Sequence, residues 1–73
     1  MSDKTKDIIE YLVMFVRLFA KRFSLTDSEA FMYMKRFGGI NLVIEHYDIM
    51  HTLSMNDTID DMSAFCRRFG GKL

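Results

Sequence analysis

From Asp3 to Ser24 the polar residues Asp3, Asp7, Glu10, Arg17, Lys21 and Ser24 return at alternating four- and three-residue steps, with Met14 alone breaking the series between Glu10 and Arg17. That rhythm traces one face of an α-helix, because positions three and four apart lie above one another. The rest of the circumference is apolar, through Ile8, Ile9, Leu12, Val13, Phe15, Val16, Phe19, Ala20 and Phe23, with Tyr11 and Leu18 on one flank. An ordinary surface helix hides a stripe of about 100°, and this arc is far wider. Such a helix is central to its bundle or it meets a second molecule. The remaining chain has to supply its cover.

Three shorter helices are predicted to do so. Thr26 and Glu29 have capping-box spacing, and Leu25 and Ala30 are placed for a hydrophobic staple across it. A helix follows over 27–37, with Ala30, Phe31, Met34 and Phe37 inward and Gly38 as its left-handed stop. The next is predicted over 40–53, with Val43, Ile44, Tyr47 and Met50 inward and Asn41, Glu45, Asp48 and Thr52 wet. After a turn at Ser54 to Asp57, the last covers 58–69. Asp60 and Asp61 then sit in its first turn, favourably for the helix dipole, and Met62, Phe65, Cys66 and Phe69 are buried before Gly70 ends it. The first helix is predicted over 3–23. A chain of 73 residues has room for one core, and its seven Phe and three Tyr offset the thin burial of so short a chain. The expected fold is all-α: a compact four-helix single domain, residues 1–73, with a long apolar first helix.

Ten basic residues balance ten acidic ones. A dedicated nucleic-acid binder carries a basic excess, so the balance argues against that class. Zero net charge also removes the repulsion that keeps copies apart. Cys66 is the only cysteine, which excludes an internal disulfide and makes a reducing, cytoplasmic setting the expectation. The longest apolar run, Tyr11 to Val16, falls far short of the roughly 20 residues a membrane span needs. Lys4 and Lys6 ahead of it resemble the start of a secretory signal, but Asp7, Glu10 and Arg17 break that pattern.

Catalytic patterns are missing from the sequence: there is no nucleophile elbow, phosphate-cradling loop or dinucleotide fingerprint. Gly38-Gly39 and Gly70-Gly71 end helices rather than begin them, the wrong polarity for holding phosphate. His46 and His51, five apart, diverge by roughly 140° on a regular helix and cannot share a metal. Glu45, Asp48 and His51 stand at three-residue steps, again without a metal-binding pattern. Cys66 continues an apolar face and reads as a packed thiol despite Arg67 and Arg68 beside it. No enzyme activity, cofactor or metal is expected. Candidate partner-binding residues are Tyr47, Asp48, His51 and Thr52, paired at i and i+4, and Tyr11, Met14 and Leu18, beside the polar stripe of the first helix. The structural alternative at the end of the third helix has Tyr47 plugging the core and His51 satisfying the last carbonyls.

One pattern recurs: Lys21-Arg22-Phe23, Lys35-Arg36-Phe37 and Arg67-Arg68-Phe69 each close a predicted helix, the last two before Gly-Gly. Cations suit a helix C-terminus and glycine suits the turn that follows. A duplicated helical hairpin would also produce the repeat, although the flanking sequence does not sustain it. If the three ends cluster, they make a basic patch for an acidic partner.

Leu42-x-x-x-x-Tyr47-Asp48-Ile49-Met50-His51-Thr52, followed by Ile59-Asp60-Asp61-Met62 and Phe65, resembles a small bacterial family of unknown function whose members carry a Tyr-Asp-aliphatic-Leu-His-Thr signature. The chain departs from the family pattern at His46, Met50 and Leu53. The resemblance implies no enzyme activity. Members often accompany a protein resembling an ADP-ribosyltransferase toxin, which implies an antitoxin or accessory module. The leading expectation is therefore a protein-interaction module that binds a second copy or a toxin-like protein. The alternative is a small nucleic-acid-binding regulator that uses the basic helix ends.

Overall fold

In a computed structural model, which describes residues 2–73, the chain forms four α-helices: α1 (Asp3–Arg22), α2 (Asp27–Arg36), α3 (Gly39–Met50) and α4 (Met55–Arg68). The fold is all-α. Helix α1 packs against each of the other three and buries Tyr11, Phe15, Val16, Phe19 and Ala20. Phe15 and Phe19 are completely enclosed, together with Met34, Val43, Met62 and Cys66 from the other helices. Burying one such side chain is worth about 1.5–3 kcal/mol, so this contact group dominates the favourable side of folding.

Three of the four helices begin on a hydroxyl. Ser2 Oγ accepts from the Thr5 amide at 3.2 Å. Thr26 and Glu29 form the full reciprocal box, with bonds of 3.1 Å and 2.9 Å, and Leu25 packs on the core that contains Ala30. Helix α3 is the exception and starts at the glycine pair. Helix α4 starts at Met55 rather than at residue 58, because Ser54 is its N-cap and accepts from the Asp57 amide at 3.5 Å. The Ser54-to-Asp57 stretch, expected to be a turn, is thus a second capping sequence. Helix α3 stops at Met50 rather than at 53. Beyond it the amides of Thr52 and Leu53 return to Ile49 and Met50 in a tightening turn.

The basic-basic-Phe repeats are one helix stop used three times. Phe23, Phe37 and Phe69 are all C-cap residues with φ/ψ of −103/11, −102/13 and −100/15. The residue after each is left-handed: Ser24 at φ 56°, Gly38 at 83° and Gly70 at 107°. The Leu25 amide then reaches back to the Ala20 carbonyl at 2.8 Å and the Gly71 amide to Cys66 at 2.9 Å, the closure of a Schellman motif. Local chemistry accounts for the repeat without duplication.

Two residues expected inside are outside. Ile44 is 47% exposed because Gly39 presses within Cβ range of Met34 and Met62 and centres the buried side of α3 on Ile40, Val43 and Met50, leaving Ile44 on the outer flank. Phe69 is 63% exposed because it occupies the cap itself, where the chain turns away from the face that buries Met62 and Cys66. At His46 the backbone leaves the helical region (φ −112°, ψ 19°) and kinks α3.

Ser24 holds a left-handed conformation that costs an L-residue about 1–2 kcal/mol. Ser24→Gly is expected to raise stability by about 0.5 kcal/mol after the added freedom of the unfolded chain is counted, read as a higher denaturation midpoint. Thr26→Ala should lower stability by about 1 kcal/mol. The Thr26 amide, and then its hydroxyl, hold the Glu29 carboxyl below the usual carboxylate range. A lowered folded-state value stabilises above the ordinary carboxylate pKa and ceases to do so as pH falls through the lowered one. The gap in melting temperature between wild type and Glu29→Gln should therefore be full at neutral pH and close on acidification.

Candidate functional site

The candidate residues separate into a clasp built around the buried Tyr11 and an open face. The clasp joins the end of α3 to the first half of α1. Below the kink at His46, the Tyr47 ring meets Tyr11 edge-on, with centroids 5.5 Å apart and planes at 73°. His51 stacks on the outer side of Tyr47 at 4.6 Å and 20°. The Tyr11 hydroxyl donates to the Met50 carbonyl at 3.3 Å, and Lys4 Nζ donates to the Asp48 carboxylate at 2.9 Å. Thr52 Oγ1, rather than the His51 ring, donates to a carbonyl at the helix end, that of Ile49 at 2.7 Å. Asp48 and Thr52 do not bond each other; each has the separate partner just named.

Tyr11 is consequently not a surface residue. It is 9% exposed, and burial pushes its phenol pKa up, so the hydroxyl keeps the proton it donates. The wide apolar arc of α1 had suggested that Tyr11 lay on its open edge. The T-shaped contact with Tyr47 closes that edge.

The open face is the outer side of α1. Ile9 and Val13 flank its polar stripe on one margin and Leu18 on the other, and Met14 interrupts the stripe itself; they are exposed by 44%, 47%, 37% and 49% respectively. Together with Glu10 and Arg17 they line one shallow depression. Leu18 also borders a second, with Met55 and Ile59 of α4. Met14 and Leu18 stand out in the sequence beside the polar stripe, whereas Ile9 and Val13 merge there with the wide apolar arc, for which both burial and a second molecule are open. The signal that would have placed them was the shortness of α2, whose ten residues span only half the length of the twenty-residue α1.

Cys66 is fully buried 3.9 Å from Met62 Sδ, and burial pushes its thiol pKa up. An activated cysteine needs the opposite shift. His46 and His51 are both exposed, and among the described residues no three His, Cys, Asp or Glu side chains gather as metal ligands.

The basic helix ends are not one patch. Arg22, at the end of α1, pairs with Asp60 and donates to Asn56 at 3.2 Å, both near the start of α4. At 1.5 Å per residue that point lies about 10–18 Å along α4 from Arg67 and Arg68. The ends of α2 and α4 do meet, and line an open groove with Phe37 on one side and Phe69 and Gly70 on the other.

Residues 10–68 match the family model described as a protein of unknown function, DUF3791. The match takes in α2, α3, α4 and most of α1, and fits a small family of unknown function. No curated protein and no solved structure matches the chain.

A clasp held by packing and one buried hydrogen bond makes a contrast that denaturation can read. Tyr11→Phe should cost about 1 kcal/mol, the worth of a typical buried bond. Asp48→Asn, which removes only an exposed ion pair, should cost well under 1 kcal/mol.

Proposed function

We propose that this chain, which belongs to the DUF3791 family of proteins of unknown function, is a non-enzymatic, cytoplasmic protein-interaction module that works through the outer face of α1. The observation behind this reading is the uncovered set Ile9, Val13, Met14 and Leu18, four large apolar side chains on adjoining turns of the longest helix. Apolar residues scattered singly over a surface need no explanation, whereas a contiguous group on one rigid element is the usual mark of an interface. Glu10 lies between them, as does Arg17 in its exposed pair with Asp27 at 3.6 Å, and such charges at the rim of an apolar face set orientation and register.

The partner is a second copy of the chain or a toxin-like protein encoded beside it, with this chain as antitoxin or accessory module. Zero net charge favours self-pairing, since copies do not repel. The resemblance carried by Tyr47 to Thr52 supports the toxin-like partner. Use of all three basic ends by nucleic acid finds less support, because Arg22 is engaged by Asp60.

Sedimentation at micromolar concentration should show a dimer, or a complex when the neighbouring toxin-like protein is co-expressed. Leu18→Glu should convert either to a folded monomer with an unchanged circular dichroism spectrum. A wild type that is monomeric throughout, and a complex that survives both Leu18→Glu and Val13→Glu, would refute the assignment.

A further inference from the structure

The groove between the ends of α2 and α4 has a floor and rim of different chemistry. Its floor is aromatic: Tyr33 meets Phe37 edge-on at 5.1 Å, and Phe69 packs on Phe65 at 5.0 Å while staying 63% exposed. Met32, 57% exposed, continues the apolar lining. The rim is cationic, with Lys35 and Arg36 on α2 and Lys72 on the C-terminal tail. Arg67 and Arg68 stand immediately before Phe69 on α4. The Arg36 guanidinium lies over the Phe37 ring, 5.7 Å from its centroid, a contact that holds it at the groove edge.

Those five cations are unneutralised. The ion pairs among the described residues engage Lys4, Arg17 and Arg22 and none of the five. No Asp or Glu lines the groove. The acids of the same two helices lie mostly at their other ends, as Asp27 and Glu29 on α2 and Asp57, Asp60 and Asp61 on α4. The negative ends of two helix dipoles offset about one charge in total, which leaves a strong local excess of positive charge in a chain whose net charge is zero. The groove is also firmly built. Gly71 passes under Tyr33 where a Cβ would stand 2.1 Å from the phenol oxygen and 2.9 Å from the Cys66 carbonyl. The Leu73 amide then donates to Tyr33 Oη at 3.2 Å, and Ser63 Oγ donates to the Leu73 carbonyl at 3.0 Å.

We infer that this groove is a second docking site, distinct from the α1 face, and that its occupant is an acidic peptide segment of a partner protein carrying an apolar anchor. The anchor covers Phe69 and Met32, and flanking carboxylates take the rim, where Arg36 offers forked, charge-assisted bonds and Lys35 and Lys72 add point charges. An apolar floor with charge along its edges is the arrangement that receives an amphipathic segment. A polyanion without apolar groups would leave Met32 and Phe69 uncovered.

Fluorescence anisotropy near physiological ionic strength tests the inference with three labelled probes of equal charge: an acidic peptide with two Leu anchors, the same peptide with Ala for Leu, and a single-stranded oligodeoxynucleotide. Saturable binding of the anchored peptide is expected, at least about tenfold tighter than either other probe. Phe69→Ala and Arg36→Glu should each weaken it at least about tenfold, while Leu18→Glu leaves it unchanged and so separates this site from the α1 face. Both substituted side chains are exposed, and an unchanged circular dichroism spectrum and denaturation midpoint for each variant will show that the loss of binding is local to the groove. Absence of binding, an oligonucleotide that binds as tightly as the anchored peptide, or binding indifferent to Phe69→Ala and Arg36→Glu would each overturn the inference.

Discussion

Phe15 and Phe19 lie one turn apart on α1 and both are shut off from water, which no single neighbouring helix could accomplish. Their enclosure requires α2, α3 and α4 to close on α1 together, and the closeness of that approach rests on Gly39. A methyl group there would sit 2.6 Å from Met62 Sδ and 3.2 Å from the Met34 carbonyl oxygen. The sulfur ends a flexible chain and could yield, but the carbonyl belongs to α2 itself. Gly39 thus joins three helices at one point, where a larger residue would push α3 outward and wet the phenylalanines. The clasp of Tyr11 and Tyr47 depends on the same placement, since it forms only when the second half of α3 lies along α1.

Helices of ten to twenty residues hold little stability of their own, so their ends have to be specified. The chain uses a hydroxyl at three starts and a basic-basic-Phe stop at three finishes, and the second device has a consequence beyond folding. Each stop deposits two cations and an aromatic ring at a helix end. Where Asp60 and Asn56 stand opposite, Arg22 is drawn into an exposed contact. Where two stops face each other, no acid intervenes, and the groove of Phe37 and Phe69 results. A sequence element explained fully by capping becomes a charged surface through tertiary placement alone.

The number and type of the elements were legible because they rest on short-range rules: helical spacing, the Thr26–Glu29 box, and glycine after the last turn. The box and the left-handed glycines at 38 and 70 stand where spacing puts them. What was not legible depends on contacts distant in sequence. Tyr11 looked like an edge residue because its partner is Tyr47, thirty-six positions away. Ile44 looked buried because the nearest-neighbour pattern cannot weigh the pull of Gly39 toward Met34 and Met62. The start of α4 was missed for another reason: Ser54 and Asp57 fit both a turn and a cap, and only the buried Thr58 and Ile59 decide between them. For the candidate surfaces, Met14 and Leu18 could be read from the periodicity of α1, whereas the meeting of helix ends two and four could not.

Nearly half the residues are hydrophobic, and a chain this short cannot enclose them all, so exposed apolar groups alone decide nothing. Their distribution does. Ile44, Ile49 and Leu53 are spread over α3 and the turn after it, as expected of surplus apolar residues on a small protein. Ile9, Val13, Met14 and Leu18 share adjoining turns of the longest helix, whose opposite side is packed into the core through Phe15 and Phe19. A partner that covers them loses little entropy in the receiving surface, since that surface is already ordered. Phe69 and Met32 have the same advantage, as the pinned tail and the Tyr33 ring fix the groove before anything enters it. Ordered backbone beneath clustered apolar side chains is what separates these two surfaces from the rest of the exposed hydrophobic area.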